Sequence, residues 1–146
     1  MTTNMPLVGC APLPAAMQRC RFETSPPMST YQTMFLLSPL QTPWPTTKSS
    51  SGVPVNMLMV PGAAPPATTA LTLAVGAAAI DAYEHLLQVP YPLPKLDLIA
   101  VPANHFGGFE AWGAIEFIAS GVTPPPDDPA RVLNTCWLVR STLAHP

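Results

Sequence analysis

The 146-residue chain contains 21 prolines, 48% hydrophobic residues and only 10% charged residues, with a formal net charge of −2. So many prolines interrupt long regular elements, because each fixes φ and removes a backbone donor, while the hydrophobic share excludes the low-hydrophobicity, high-charge profile of a disordered tail. The slightly negative balance offers no basic field for nucleic acid or anionic lipid, so partners of those classes are not expected.

In chain order, residues 1–7 are polar and interrupted by proline, without the basic region and apolar run of a secretory signal. A cytoplasmic location is the expectation. Cys10, Cys20 and Cys136 are odd in number and form no C-x-x-C pair, which predicts buried or idle thiols and neither a disulfide framework nor a cysteine zinc site. In residues 31–37, Tyr31, Thr33, Phe35 and Leu37 alternate with Gln32, Met34 and Leu36, the pattern of a strand buried on both faces. The Pro-, Ser- and Thr-rich residues 39–52 read as a loop. Val55, Met57 and Met59 against Asn56, Leu58 and Val60 predict a second strand, ended by Pro61 and Gly62.

After Pro65 and Pro66 the period changes. Leu73, Ala77, Ile80, Glu84 and Leu87 recur at helical spacing, so residues 67–87 read as a helix that ends before Pro90. The apolar run at 67–80 is short for a bilayer span and is followed at once by Asp81, Glu84 and His85, so no membrane span is expected. Glu84 and His85 are adjacent on the helix and point about 100° apart, which suits a solvated surface better than a shared metal. Leu96–Val101 and residues 112–118 read as apolar strands with Gly107 and Gly108 in the connection. His105 reads as an exposed loop histidine, and Asp127 and Asp128, set among prolines, as a solvated loop. No G-x-S-x-G elbow is present, so covalent hydrolase chemistry is not indicated.

Several runs carry a family resemblance. Residues 90–102, which include Tyr91, Pro92, Leu93, Pro94, Lys95, Leu96, Asp97 and Leu98, lead into Gly107, Gly108, Phe109, Glu110, Ala111, Trp112 and Gly113. This resembles the G-A-M-E-N-W-G motif of the aminopeptidase N and puromycin-sensitive aminopeptidase type of zinc metallopeptidase, a gluzincin family. Thr3, Asn4, Met5 and Pro6 resemble its S-N-M-P run, and residues 22–31, ending in Met28, Ser29, Thr30 and Tyr31, its F-x-T-T-P-x-M-S-T-Y run.

The resemblance implies an α+β fragment: residues 1–62 as the end of an N-terminal β domain, joined to residues 63–146 as the start of a thermolysin-like catalytic domain. It also implies a peptide substrate with a free N-terminus. Glu110 is expected to receive the substrate's α-ammonium through a charge-assisted hydrogen bond. Gly107 and Gly108 are expected to let the backbone approach a bound peptide, with Phe109 and Ala111 completing the substrate-binding segment. Phe109 and Ala111 replace the family's Met and Asn, and Pro102, Ala103 and Asn104 replace its Pro-Asp-Phe. Loss of the Asn amide implies altered substrate positioning.

Zinc is the implied cofactor. Residues 140–145 resemble the lead-in to an H-E-x-x-H helix, placing His145 at the first zinc ligand, but Pro146 stands where the catalytic Glu would be. The implied function is therefore that of a zinc aminopeptidase removing N-terminal residues, carried by a partial chain that is inactive by itself. The alternative is a non-catalytic relative that binds peptides or associates with a full-length aminopeptidase.

Overall fold

In the computed structural model, residues 1–39, 44–60, 66–103 and 107–145 are described. A five-stranded sheet organises them. Its strands are β5 (Thr46–Lys48), β6 (Pro54–Met59), β7 (Leu96–Val101), β8 (Gly108–Phe109) and β9 (Ala114–Ile118), in the spatial order β5-β6-β7-β9-β8. The three central strands run parallel, and the two short edge strands pair antiparallel to their neighbours. Parallel neighbours need a long crossover. The helix α1 (Pro66–Leu87) supplies it between β6 and β7.

Alternation along the strands decides which layer each side chain enters. Val55, Met57, Met59, Leu96, Leu98, Ala100 and Phe117 point to one face, where Leu73, Ala77 and Ile80 of α1 cover them, joined by Val122 and Val139. Those last two come from the short α2 (Ala119–Val122) and from α3 (Pro129–Leu143). On the opposite face Leu58, Ile99, Ala111 and Ala114 pack with Met34 from the N-terminal part of the chain. The segment Thr68–Leu87 has the length and mean hydropathy, 1.2, of a bilayer-crossing helix. About a third of that stretch, 33%, is buried, and Leu73, Ala77 and Ile80 face the sheet.

A polar cluster joins the N-terminal part to that second face. Lys95 Nζ donates to Asp97 Oδ2 at 2.6 Å, to Thr3 O at 2.8 Å and to Gly113 O at 2.9 Å. Asp97 also accepts from Asn56 Nδ2 at 2.9 Å and from Thr2 Oγ1 at 3.0 Å. Every charged atom in this buried pair therefore has partners, the condition under which burial of an ion pair is tolerated. Burial pulls the Lys95 ammonium below its ordinary pKa, and the Asp97 carboxylate partly restores it. Burial, with the field of Asp97, pushes the Tyr91 phenol up.

Outside the sheet, β1 (Thr2–Thr3) pairs with β4 (Phe35–Leu36), and β2 (Leu7–Pro12) with β3 (Gln18–Phe22) in a separate hairpin. Here the structure corrects the cysteine reading. Cys10 and Cys20 lie directly opposite each other, with Cα atoms 4.1 Å apart, and form a disulfide, while Cys136 is free. Cross-strand pairing, rather than cysteine count or sequence spacing, brought them together. Such cross-links persist in oxidising surroundings.

Other expectations are also revised. Residues 31–37 are not a doubly buried strand: Thr30–Gln32 form a 3-10 turn, and Phe35 and Leu37 are 73% and 81% exposed. The Ser29 hydroxyl accepts from the Tyr31 amide and starts the turn, so local hydrogen bonding displaced the alternating pattern. The loop expected at 39–52 contains β5. The predicted helix and the strands at 55–60 and 96–101 are present, but Leu87 is 65% exposed instead of facing the core.

Glu84 is half-buried and accepts from the Tyr91 amide at 2.7 Å, securing the turn after α1 rather than standing in solvent. Asp128 is the N-cap of α3, accepting from the Arg131 amide, with Pro129 at the first helical position. Both are favoured helix-start residues. The expected division at 62/63 falls among residues 61–65, and His105, Asn104 and Pro146 also lie outside the described residues.

Candidate functional site

The segment 107–113 passes through the edge strand β8 and on toward β9, with its backbone tied at several points. Gly107, at φ +78°, accepts from the Ile118 amide at 3.0 Å and directs the chain into β8. Gly108 has a different physical reason for lacking a side chain. A Cβ there would stand 2.9 Å from Thr142 Oγ1 and 3.2 Å from the Phe117 ring. Glycine thus admits the end of α3 against β8, and this close packing carries His145 to the same corner as Glu110.

At the far end of the segment, Gly113 adopts φ +71°, and a Cβ on it would lie 2.7 Å from Asn4 O. Both the backbone conformation and the close approach require glycine. The Trp112 carbonyl accepts from Asn4 Nδ2 at 2.8 Å. The Gly113 carbonyl accepts from the Asp97 amide at 3.0 Å and from Lys95. Ala111 is buried in the second core cluster, and its carbonyl accepts from the Ala114 amide at 3.1 Å.

Glu110 sits between these anchors with its side chain 19% exposed. Its Oε1 accepts from the Tyr31 hydroxyl at 2.9 Å, and His145 Nδ1 lies 3.9 Å from the same oxygen. Among the described residues, Oε2 has no hydrogen-bond partner. The Tyr31 ring meets Phe109 edge-on, with centroids 5.2 Å apart. Because the carboxylate accepts its proton, Tyr31 is raised above the ordinary phenol pKa of 10.0. A cavity of about 400 Å³ opens beside the carboxylate, with Glu110, His145, Trp112, Leu86, Leu87 and Val89 among its walls. Glu84 also lines this mostly apolar cavity, with its Oε1 engaged by the Tyr91 amide, and the Glu110 carboxylate edge is suited to a cationic group carrying an apolar side chain.

The structure brings together Gly107, Gly108, Phe109, Glu110, Ala111 and His145, all singled out in the sequence. Zinc fits this arrangement poorly. Among the described residues no three His, Cys, Asp or Glu side chains converge, and one imidazole beside one carboxylate falls short of the ligand sets that hold zinc. Three residues of the site had no role assigned from sequence: Asn4, Tyr31 and Lys95. Each lies in a run that carried the family resemblance, and that was the available signal.

Residues 71–141 match the Peptidase family M1 domain. Endoplasmic reticulum aminopeptidase 1 of Mus musculus is 35% identical over 145 residues, 98% of this chain and 15% of the relative. Puromycin-sensitive aminopeptidase of Caenorhabditis elegans is 34% identical over 126 residues, 85% of this chain and 13% of the relative. Thyrotropin-releasing hormone-degrading ectoenzyme of Rattus norvegicus is 34% identical over 105 residues, 72% of this chain and 10% of the relative. The chain thus spans about a seventh of the length of the relatives it matches most fully. The similarity extends beyond the matched domain model into the N-terminal part that packs on Trp112 and Gly113, and the protein belongs to the M1 family of metallopeptidases.

Proposed function

We propose that this chain provides the substrate-amine recognition element of an M1 aminopeptidase, with Glu110 accepting the α-ammonium of a peptide whose N-terminus is free. The observation that carries the reading is the half-buried Glu110 carboxylate at the wall of a mostly apolar cavity, one oxygen held by Tyr31. An aminopeptidase must separate a free amine from an internal amide. A fixed carboxylate makes that distinction, because an acylated amine carries no charge and keeps one N–H donor where the ammonium has three. The apolar walls supply area for the first side chain of the peptide.

Aminopeptidases of the M1 family are in general zinc enzymes, the metal supplying an activated water. In this chain His145 Nδ1 lies 3.9 Å from Glu110 Oε1. With no second or third ligand among the described residues, the 146-residue chain is proposed to bind peptide ends without hydrolysing them.

The test is a titration of the isotopically labelled chain with leucyl-alaninamide and with its N-acetyl derivative, followed at the amides of Gly108 and Phe109. The free-amine probe is expected to bind more tightly, with the preference abolished in Glu110→Gln. An unchanged preference in that variant would remove Glu110 from the role. Stoichiometric zinc together with turnover of the free-amine probe in the same preparation would overturn the inactivity.

A further inference from the structure

We propose that Tyr31 is a positioning residue of the ammonium site, orienting the Glu110 carboxylate through its hydroxyl, and that Asn4 holds the turn bearing Tyr31 in register with the Glu110 segment. The inference rests on the reading of Glu110 given above and extends the site into the N-terminal part of the chain.

The geometry begins at Asn4, which is 4% exposed and has its amide fully engaged. Its Nδ2 donates to Gln32 O and to Trp112 O, both at 2.8 Å, and its Oδ1 accepts from the Met34 amide at 2.8 Å. One side chain therefore ties the turn at 30–34 to the backbone two residues beyond Glu110. Three satisfied bonds on a buried amide fix both strands of chain relative to it, since breaking any one leaves a buried polar group unpaired.

From that fixed turn, Tyr31 reaches 79 positions along the sequence to Glu110 Oε1 at 2.9 Å. Its ring is braced against Phe109, the residue beside Glu110. A glutamate has three side-chain torsions and adopts many rotamers when unheld. Occupying one oxygen with a hydroxyl donor selects among them and leaves Oε2 for an incoming ammonium. Ordering the carboxylate before the ligand arrives removes part of the entropic cost of binding. Tyr31 itself is 57% exposed, and a tyrosine kept at the surface in an edge-on pair suggests a task other than filling the core.

The decisive variant is Tyr31→Phe, which keeps the ring and its contact with Phe109 and removes only the hydroxyl. The full chain is titrated with leucyl-alaninamide and N-acetyl-leucyl-alaninamide, with Glu110→Gln in parallel. In Tyr31→Phe the preference for the free amine is expected to fall about three- to tenfold, the worth of one hydrogen bond, with affinity for the acetylated probe unchanged. A residue serving only packing would leave that ratio intact. If the preference survives in Tyr31→Phe but is lost in Glu110→Gln, the positioning role is overturned while the reading of Glu110 stands. If Glu110→Gln also keeps the preference, or the unsubstituted chain shows none, the reading of the site falls and this inference with it.

Discussion

The hairpin of β2 and β3 and the central strands β6, β7 and β9 are both β structure, yet they are held by different forces. Along Leu7–Pro12 every residue is exposed, and Leu7, Val8 and Met17 each leave more than half their surface in solvent. In the central strands Val55, Met57, Leu96, Leu98, Ile99 and Phe117 are fully buried. A two-stranded hairpin without a buried face is marginal in water. The turn makes matters worse, since Ala15 and Ala16 both stand in the left-handed region, at φ 60° and 57°, where an L-residue with a Cβ costs about 1–2 kcal/mol. The Cys10–Cys20 cross-link offsets that deficit. The sheet needs no such bond, because burial of its two faces between α1 and the N-terminal part supplies the stability.

This contrast is open to direct attack. The largest effect is expected from Lys95→Met, which leaves the Asp97 carboxylate without its cation and removes the donors to Thr3 O and Gly113 O. Breaking a buried pair in this way costs about 3–5 kcal/mol, read as a fall in the urea midpoint of the whole chain. A loss below about 1 kcal/mol, the scale of a surface pair, would mean that apolar burial alone joins the N-terminal part to the sheet.

A smaller and local effect is expected from the double change Cys10→Ser and Cys20→Ser. Closing a loop of this size is worth about 2–3 kcal/mol, and here the loss should stay within the hairpin. Amide hydrogen exchange is expected to quicken across residues 7–22 while Leu96–Val101 keeps its protection. Equal acceleration in both would show that hairpin and sheet unfold as one unit.

The smallest effect belongs to Tyr31, the residue that bridges the N-terminal part and the sheet edge. Its phenol is expected to ionise above 10.0 because Glu110 accepts its proton, and to return toward that value in Glu110→Gln. The signal is isolated by comparison with Tyr31→Phe in an ultraviolet titration. A raised acid pKa in the folded chain means that the unfolded chain releases this proton first. The contribution to stability is therefore present below pH 10.0 and lost as pH rises through the folded value. No difference between the chain and Glu110→Gln would break the bridge.

Much of the sheet and the long helix was legible from residue pattern. Val55 to Met59 and Leu96 to Val101 are apolar apart from Asn56 and Asp97, close to the continuous runs of buried parallel strands, and the 3.6-residue period of Leu73, Ala77 and Ile80 marks a helix that Pro90 must follow. The pattern failed at residues 31–37, where the alternation suits a strand but Ser29 and Asn4 offer the backbone other partners. It failed again at the cysteines, since pairing depends on which residues oppose each other across a hairpin. Leu87 followed the helical period but lies beyond the edge of the sheet that α1 covers.

For the site, the sequence by itself determined the residue types: a carboxylate at Glu110, glycines where the backbone turns or is approached closely, and an imidazole at His145 following a helix. These are local properties of chemistry and backbone freedom, carried in contiguous runs. Only the tertiary structure decided that Tyr31 meets Glu110, that Asn4 binds Trp112, and that Gly108 makes room for Thr142 rather than for open space. Those contacts join residues 34 to 108 positions apart, and such pairings follow from how the layers pack, which no periodicity along the chain encodes.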